Sequence, residues 1–488
     1  MLNSEYKRIR PFWDTVHDCY LGTAAVKNSS NSLRYLPLSA REKKELEECP
    51  DKSTTRYEFR KKYAIYENIF KPVIDDSVGL MQRNPARIAF GARDNTESPE
   101  EVRDLDIYGN HYKDGLKGLK ARLNFHQTLY GRYGLLLDLV ENSMDHRPRF
   151  IISEYPAVRI LDGEIEKEKP NSENRISWIL LDESAPVFDR SKKAWVPQSQ
   201  FRLLALDART EYYQIVFSGP DALASWRDFD FKNPKGDLVY PSFRDKRLPF
   251  IPMTVCNVNK LGLDQWQEPP FLDVAHIAIG IYQIDSLYKK ALWNFASPTL
   301  SVANADKPNQ EFYLGDAIWP RTNGDHPVSV SLLETSGAGL AEMRSAKEEM
   351  KNALKYSSIR ELLDGAGANA SSEAIQLRAA SGTAGIAAID QTGGRAIEEQ
   401  LIFAALWAGA SEKEAGERIS YCPDTSYLEN DYPLQAIVSF IQANSSADRG
   451  DVLLSQKNIY SILEKTLPNT LSTFEDNELQ KKGEKSCI

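Results

Sequence analysis

The sequence predicts an α+β protein, and three features carry that reading. Apolar residues up to about position 148 recur mostly at helical spacing. From Arg149 the segments become short and rich in β-branched and aromatic residues. After Pro269-Pro270 a long helix begins with heptad-spaced apolar residues.

The first helix is expected over Tyr6 to Tyr20, which mixes aromatic and basic residues. Ala40 to Cys49 is rich in charge, with Arg41, Glu42, Lys43, Lys44 and Glu45, and reads as a solvated helix end or loop. Tyr57 to Met81 reads as one long helix, because Phe59, Tyr63, Tyr66, Phe70, Val73 and Ser77 fall three or four apart. Pro72 lies inside it and predicts a kink or break there, since proline lacks the amide a helix interior needs. Gly115 to Leu139 begins as a helix and ends in the run Tyr133-Gly-Leu-Leu-Leu-Asp-Leu-Val, a buried strand entered through Gly134.

An antiparallel β region follows. Strands are expected at Arg149 to Ser153, Ile176 to Leu181, Phe201 to Leu206, Tyr212 to Phe217 and Ile251 to Val258. Turns are expected at Asp162-Gly163, Asp207-Ala-Arg-Thr and Ser218-Gly-Pro.

In the third stretch Val274, Ile277, Ile281, Ile284, Tyr288, Ala291 and Phe295 step by three and four, the spacing of a helix–helix seam. The helix is expected from Phe271 to Ala296 and is ended by Pro298. Short strands are expected at Thr299 to Val302, Phe312 to Trp319 and Val328 to Leu333. A second helix is expected over Leu340 to Leu363. A small-residue loop, Gly365 to Ser372, leads to an alanine-rich third helix over Glu373 to Trp407. Gly382, Gly385 and Gly393-Gly394 interrupt that helix and allow bends or close approach. Shorter helices are expected at Leu434 to Ala443 and Ser455 to Leu467, before a polar end.

The chain has 488 residues, of which 42% are hydrophobic and 26% charged, enough to bury a sizeable core in about three domains. Its formal net charge of −9 argues against a surface that grips DNA phosphates over a large area. An acidic wall still suits DNA that slides past, because like charge holds the polymer off. The five cysteines, Cys19, Cys49, Cys256, Cys422 and Cys487, have neither zinc nor redox spacing. The first residues carry no apolar run of signal-peptide type, and no stretch reaches the ~18 apolar residues of a membrane span. A soluble chain made in the cytoplasm is the expectation.

Little in the sequence points to catalysis. Gly365-Ala-Gly367-Ala-Asn369-Ala370 fits a dinucleotide fingerprint on paper, but a helix leads into it where a strand is required. A flexible connector is the better reading. Asp104-Leu-Asp106 resembles the start of a calcium loop, yet Tyr108 stands where a third oxygen ligand belongs. A turn with helix-capping carboxylates is favoured. The six histidines form no metal-binding pair. There is no P-loop, no G-x-S-x-G and no C-x-x-C. Neither a cofactor nor a metal is expected.

One charge pattern has geometric content. Arg344, Lys347, Lys351 and Lys355 share a face of the second helix. The plain reading is a solvated face partly paired with Glu348 and Glu349. The sharper reading points these cations at a nucleic acid.

Several segments, in order, resemble one family, the portal proteins of tailed bacteriophages, in particular its compact subgroup. Tyr66 to Pro85 resembles the family's early helix. Asp104 to Gly109 resembles the acidic turn after it, and Gly131-Arg-Tyr-Gly-Leu-Leu-Leu-Asp138 its turn into a strand. Tyr155-Pro-Ala157 resembles the next strand end. Leu248-Pro-Phe-Ile-Pro252 and Glu268 to Ala275 are similar to the approach to the stem helix, and Ser297-Pro-Thr299 to its exit. The likeness runs from about Tyr57 to Trp407 and is loose beyond. Asp364 to Ser372 is richer in Gly and Ala than the subgroup's pattern.

The resemblance implies a portal-type fold with an α/β wing, a two-helix stem, a small β-containing clip, a long kinked helix and a helical C-terminal region. The wing would be 1–264, the stem 265–296 and 340–364, and the clip 297–339. A tunnel loop at 365–372 would include Gly365, Gly367, Asn369, Ser371 and Ser372. The long wing helix would be 373–409 and a crown-like region 410–488. It further implies a ring, usually dodecameric, at one capsid vertex of the virion, contacting capsid protein. Double-stranded DNA would pass through it without sequence preference. The terminase large subunit and then a head–tail adaptor would dock on it, with no membrane involved. In that setting the four cations would face the channel, and the heptad seam would join helices within or between subunits. The alternatives are another virion structural or connector protein, or a hydrolase built on carboxylates that the sequence alone does not pair.

Overall fold

The structure is a computed structural model. It describes residues 3–28, 30–48, 55–90, 100–108, 110, 112, 114–141, 148–165, 175–231, 234–296, 299–303, 329–333, 338–357 and 372–425. The predicted strand Phe312 to Trp319, the loop residues Gly365, Gly367, Asn369 and Ser371, and the helices Leu434 to Ala443 and Ser455 to Leu467 lie outside these residues.

The fold is α+β. Its N-terminal layer is helical: α1 (Ser4–Leu21), α2 (Thr23–Val26), α3 (Ser32–Tyr35), α4 (Ala40–Glu48), α5 (Arg56–Tyr63) and α6 (Phe70–Met81). Asn3 caps α1 by accepting from the Glu5 amide, and Ile9, Trp13, Val16 and Cys19 on one face of that helix are fully buried. Two expectations change here. Tyr57 to Met81 is two helices, with residues 64–69 between them, so the break precedes Pro72. Pro72 sits in the first turn of α6, where the missing amide would have had no partner. The charged segment at 40–48 is a helix, and Glu42 within it is buried.

Strand β1 (Arg87–Phe90) and helices α7 (Glu100–Tyr108) and α8 (Gly115–Tyr130) follow. Asp104 and Asp106 thus lie in a helix, which corrects the expected turn. Gly131 caps α8 in the left-handed region, at φ 75°, which a glycine adopts without penalty. The chain therefore turns into β2 (Arg132–Glu141) at Gly131, three residues before the expected Gly134. Gly134 has a different constraint: a Cβ there would meet Met253 at 2.7 Å and Ile160 at 2.9 Å.

Two antiparallel sheets form the middle. One has the order β10-β2-β3, with β3 at Pro148–Pro156 and β10 at Met253–Asn257. The other has the order β4-β5-β8-β9, with β4 at Ile160–Ile165, β5 at Ile176–Asp182, β8 at Gln200–Leu206 and β9 at Tyr212–Ser218. The five expected strands are present. Asp162-Gly163, read as a turn, lies within β4, whose register against β5 shifts on either side of it. A two-stranded ribbon, β6 (Ala185–Asp189) with β7 (Ala194–Gln198), was not foreseen. Helix α9 (Ala222–Arg227) covers the β8–β9 end.

Helix α10 (Leu272–Ala296) is about 38 Å long at 1.5 Å per residue. It leads to β11 (Thr299–Ala303), which pairs antiparallel with β12 (Ser329–Leu333), and β12 returns the chain to α11 (Ala338–Ser357). Helix α12 (Ser372–Ala408) then runs 37 residues. Helix α13 (Glu412–Arg418), opened by a Ser411/Glu414 capping box, and β13 (Ile419–Cys422) follow, and β13 pairs with β1.

The core has two parts. One joins the β10-β2-β3 sheet to α8 and the C-terminal half of α12, around Leu123, Leu135, Ile152 and Leu401. The other joins α1, α6 and the start of α10 to the second sheet, around Trp13, Phe70, Tyr213 and Tyr282. Helix α8 contributes to both. Where it crosses α12, a Cβ on Gly393 would lie 2.9–3.1 Å from Leu123, Gln127 and Asn124, so any larger residue would force those side chains to shift. A buried ion pair, Lys120 to Asp390 at 3.1 Å, and the Asn124 bond to Asp390 tie the same two helices.

Candidate functional site

The feature that distinguishes this fold is the pair α10 and α11, joined at one end by the β11–β12 hairpin and anchored at the other. Gly280 faces Met350, with the sulfur 3.4 Å from a Cβ placed on Gly280. Asp285 accepts from Lys347 at 2.8 Å. Numbers rise along one helix as they fall along the other, so the two run antiparallel.

At roughly 100° per residue, those two contacts bracket the side of α10 that carries Val274, Ile277, Ile281, Ile284, Tyr288 and Ala291. The heptad stripe thus turns toward α11 in the same chain. Val274 and Ile281 are buried and the other four half-buried; the Phe295 side chain is outside the described residues. The opposite side of α10 meets the N-terminal helices. Tyr282 packs edge-on to Tyr66, Ser286 accepts from Arg60, and the Cys19 thiol approaches the Ala275 carbonyl.

Two charge clusters fix this pair to the N-terminal layer. In the first, Lys347 contacts Glu67 at 2.6 Å and Asp285 at 2.8 Å, and Lys351 contacts Glu67 at 2.7 Å. The second oxygen of Asp285 accepts from the Ile65 amide at 2.8 Å. Burial alone would raise the Glu67 carboxyl, but Lys347 and Lys351 outweigh it and hold the group below its ordinary range. Burial likewise opposes the Lys347 charge, and the bonds from Asp285 and Glu67 more than restore it. In the second cluster Arg60 meets Glu42 through two bonds of 2.8 and 2.9 Å, with Arg60 also on Ser286 and Lys290 3.7 Å from Glu42. Buried bidentate pairs of this kind fix geometry.

The expected cation stripe is therefore divided. Lys347 and Lys351 lie against carboxylates of their own chain. Arg344, one turn from Lys347, is exposed. The Lys355 side chain is outside the described residues. Ser372 begins α12, and its side chain is likewise outside them.

The carboxylate alternative has a specific place. A cavity of about 410 Å³ is lined by Asp138, Glu154, Glu183, Tyr155 and Arg202 among others. Each carboxylate in it faces a cation or a buried hydroxyl. Arg202 reaches Asp138 at 2.6 Å and Glu183 at 3.4 Å, and Glu154 accepts from Arg122 and from Tyr133. Burial opposes the Arg202 charge, yet the Asp138 carboxylate holds the guanidinium protonated well above its ordinary value. A carboxylate neutralised this way is a poor general base. The arrangement ties β2, β3, β5 and β8 together.

Sequence reasoning missed Arg132. It is buried, stacks 4.2 Å from the centre of the Trp266 ring, and donates to the carbonyls of Leu263 and Gln265. Burial pushes it down to about 9. It fixes the segment that leads into α10. Its place directly after the helix-ending Gly131 was the available signal.

Among the described residues no group of His, Cys, Asp or Glu is placed to hold a metal, and no helix is long and apolar enough to cross a membrane.

No protein-family model matches this chain, and no curated protein matches it. Solved structures that are similar come from gene transfer agent particles. The virion of a native particle gives a TM-score of 0.40 at 12% identity, covering 85% of this chain and 94% of that one. The neck of a native particle computed with C12 symmetry gives 0.38 at 11%, covering 81% and 89%. The neck of an empty particle computed with C6 symmetry gives 0.36 at 12%, covering 81% and 90%. Likeness at this level bears on neither family nor activity.

Proposed function

We propose that this chain is a portal-type subunit: a non-enzymatic structural protein of a virion that closes into a ring and passes double-stranded DNA. The observation that carries the reading is the antiparallel α10–α11 pair, with the antiparallel β11–β12 strands at one end and charge clusters tying it to the N-terminal layer. This is the arrangement that the ordered sequence resemblance implies. In the assembled ring, usually dodecameric in that family, the pair is the stem at 265–296 and 340–364. Residues 297–339 are the clip, 365–372 the tunnel loop, 373–409 the long wing helix and 410–488 the crown.

The physics suits that role. A shaft of paired helices must hold its angle to the wing while polymer moves past, and the Glu67–Lys347–Asp285 and Glu42–Arg60–Lys290 clusters resist rotation of α10 on the N-terminal layer. The chain's net charge of −9 favours a channel that does not bind phosphates tightly. Arg344, with Lys355, supplies the cations of the channel lining. Lys347 and Lys351 act chiefly as anchors. Partners in this reading are the terminase large subunit during packaging, an adaptor afterwards and the capsid protein around the ring.

The test is imaging of the purified full-length chain, alone and with capsid protein. Closed rings with a central opening wide enough for duplex DNA are expected. Monomers or dimers under both conditions would overturn the proposal.

A further inference from the structure

We infer that the β6–β7 ribbon is an arm that docks on a second copy of this chain; the inference rests on the ring reading above. The ribbon pairs Ala185 with Gln198, Pro186 with Pro197, Val187 with Val196, Phe188 with Trp195 and Asp189 with Ala194, and no third strand joins it among the described residues. Eight of these ten residues are exposed. Side chains alternate between the two faces of a strand. One face therefore carries Pro186, Phe188, Trp195 and Pro197, and the other Val187 and Val196. Phe188 and Trp195 meet edge to face with ring centres 5.5 Å apart. Trp195 is 69% exposed, Val187 49% and Phe188 46%.

A two-stranded ribbon with both faces in water is marginal by itself, and a contiguous exposed apolar surface marks an interaction site. The opposed prolines carry no amide hydrogen at that step of either edge, which weakens docking by strand addition. Contact through the side chains of the flat faces is left.

The occupant follows from charge and from ring geometry. The turn between the strands carries Arg190, Lys192 and Lys193, all exposed, against the single acid Asp189. The chain as a whole has a net charge of −9, so a second copy is opposite in sign, on balance, to the basic turn. A closed ring of identical subunits also requires that each copy insert one surface into a different surface of the next. A protruding ribbon is suited to that.

The experiment uses the full-length chain. The double variant Phe188→Ser/Trp195→Ser is compared with the unaltered chain by mass photometry across a concentration series, with thermal unfolding run alongside. Both side chains are exposed, so unfolding should be unchanged, while assembly should weaken about tenfold or more, as for aromatic anchors at other interfaces. A photoreactive amino acid in place of Trp195 should join one chain to another. Unaltered assembly of the double variant, or photoproducts confined to one chain or to added DNA, would overturn the arm while leaving the ring reading standing. An unaltered chain that stays monomeric throughout, with and without added capsid protein, would overturn both.

Discussion

Lys347 and Glu67 meet at 2.6 Å, joining α11 to the connector between α5 and α6 across 280 positions of sequence. The same ammonium holds Asp285 on α10, so a single cation bridges three separate segments. Removing it leaves Asp285, 3% exposed at its side chain, with the Ile65 amide as its remaining described bond.

Lys347→Met should therefore loosen the helix pair from the N-terminal layer. A loss of about 2–4 kcal/mol is expected, somewhat below the about 3–5 kcal/mol of a fully buried pair because Lys347 and Glu67 keep some solvent contact. Hydrogen exchange should quicken over 338–357 before the rest of the chain. Equal protection of α11 in both proteins would contradict the anchoring role.

The same cluster carries a pH dependence. The folded pKa of Glu67, and that of Glu42, lies below the ordinary ~4.3 of a glutamate. That stabilisation is fully present above the ordinary value and is lost as pH falls through the folded one. The Lys347 value is raised, so its share is full below about 10.4 and fades as pH rises further. Exchange protection of α11 should be flat between about pH 5 and 10 and fall on both sides. Monotonic change across that window would contradict it.

His126 adds a pH dependence to the stability of the whole fold, apart from the local protection of α11. Burial, with Arg122 and His17 nearby, pushes it down to about 4. Its ring stacks on Tyr130 and Tyr133, and its buried Nδ1 has no hydrogen-bond partner among the described residues. A base with a depressed folded pKa binds its proton more readily when unfolded. Stability therefore falls as pH drops from about 6.5 toward 4, by as much as about 3 kcal/mol. His126→Phe should flatten that part of the curve in denaturant titrations. An unchanged slope would refute the assignment.

Gly393→Ala and Gly385→Ala form an opposed pair. The first puts a methyl 2.9–3.1 Å from Leu123, Gln127 and Asn124; the second meets nothing within 4 Å. The first should cost about 1–3 kcal/mol by overpacking. The second should gain up to about 1 kcal/mol from helix propensity. Melting temperatures moving in the same direction would contradict the α8–α12 crossing.

Arg344→Glu tests the channel lining apart from the anchor, since Arg344 is exposed. Ring formation and melting temperature should be unchanged, while the length of DNA packaged or retained falls. Failure to assemble would mean that Arg344 serves packing.

Periodicity made much of this fold legible. The heptad stripe of α10, the five strands and the long α12 rest on near-neighbour spacing, which a sequence displays directly. What stayed hidden depends on partners far apart in the chain. Glu42 looks solvated until Arg60 and Ser39 close over it, and the Lys347 stripe looks free until Glu67 and Asp285 take two of its members. The β6–β7 ribbon escaped notice because Pro186 and Pro197 suppress the strand signal and a basic turn divides two very short runs. Pro72 misled because a proline in a first helical turn and one at a break carry the same letter.

The central claim is that α10 and α11 line a shared opening. A reconstruction of the assembled full-length chain viewed down its axis tests this most directly. The account predicts a closed ring with Leu272–Ala296 and Ala338–Ser357 around the hole and Arg344 facing it. A ring with that pair on its outer rim, or no ring with capsid protein present, would contradict it.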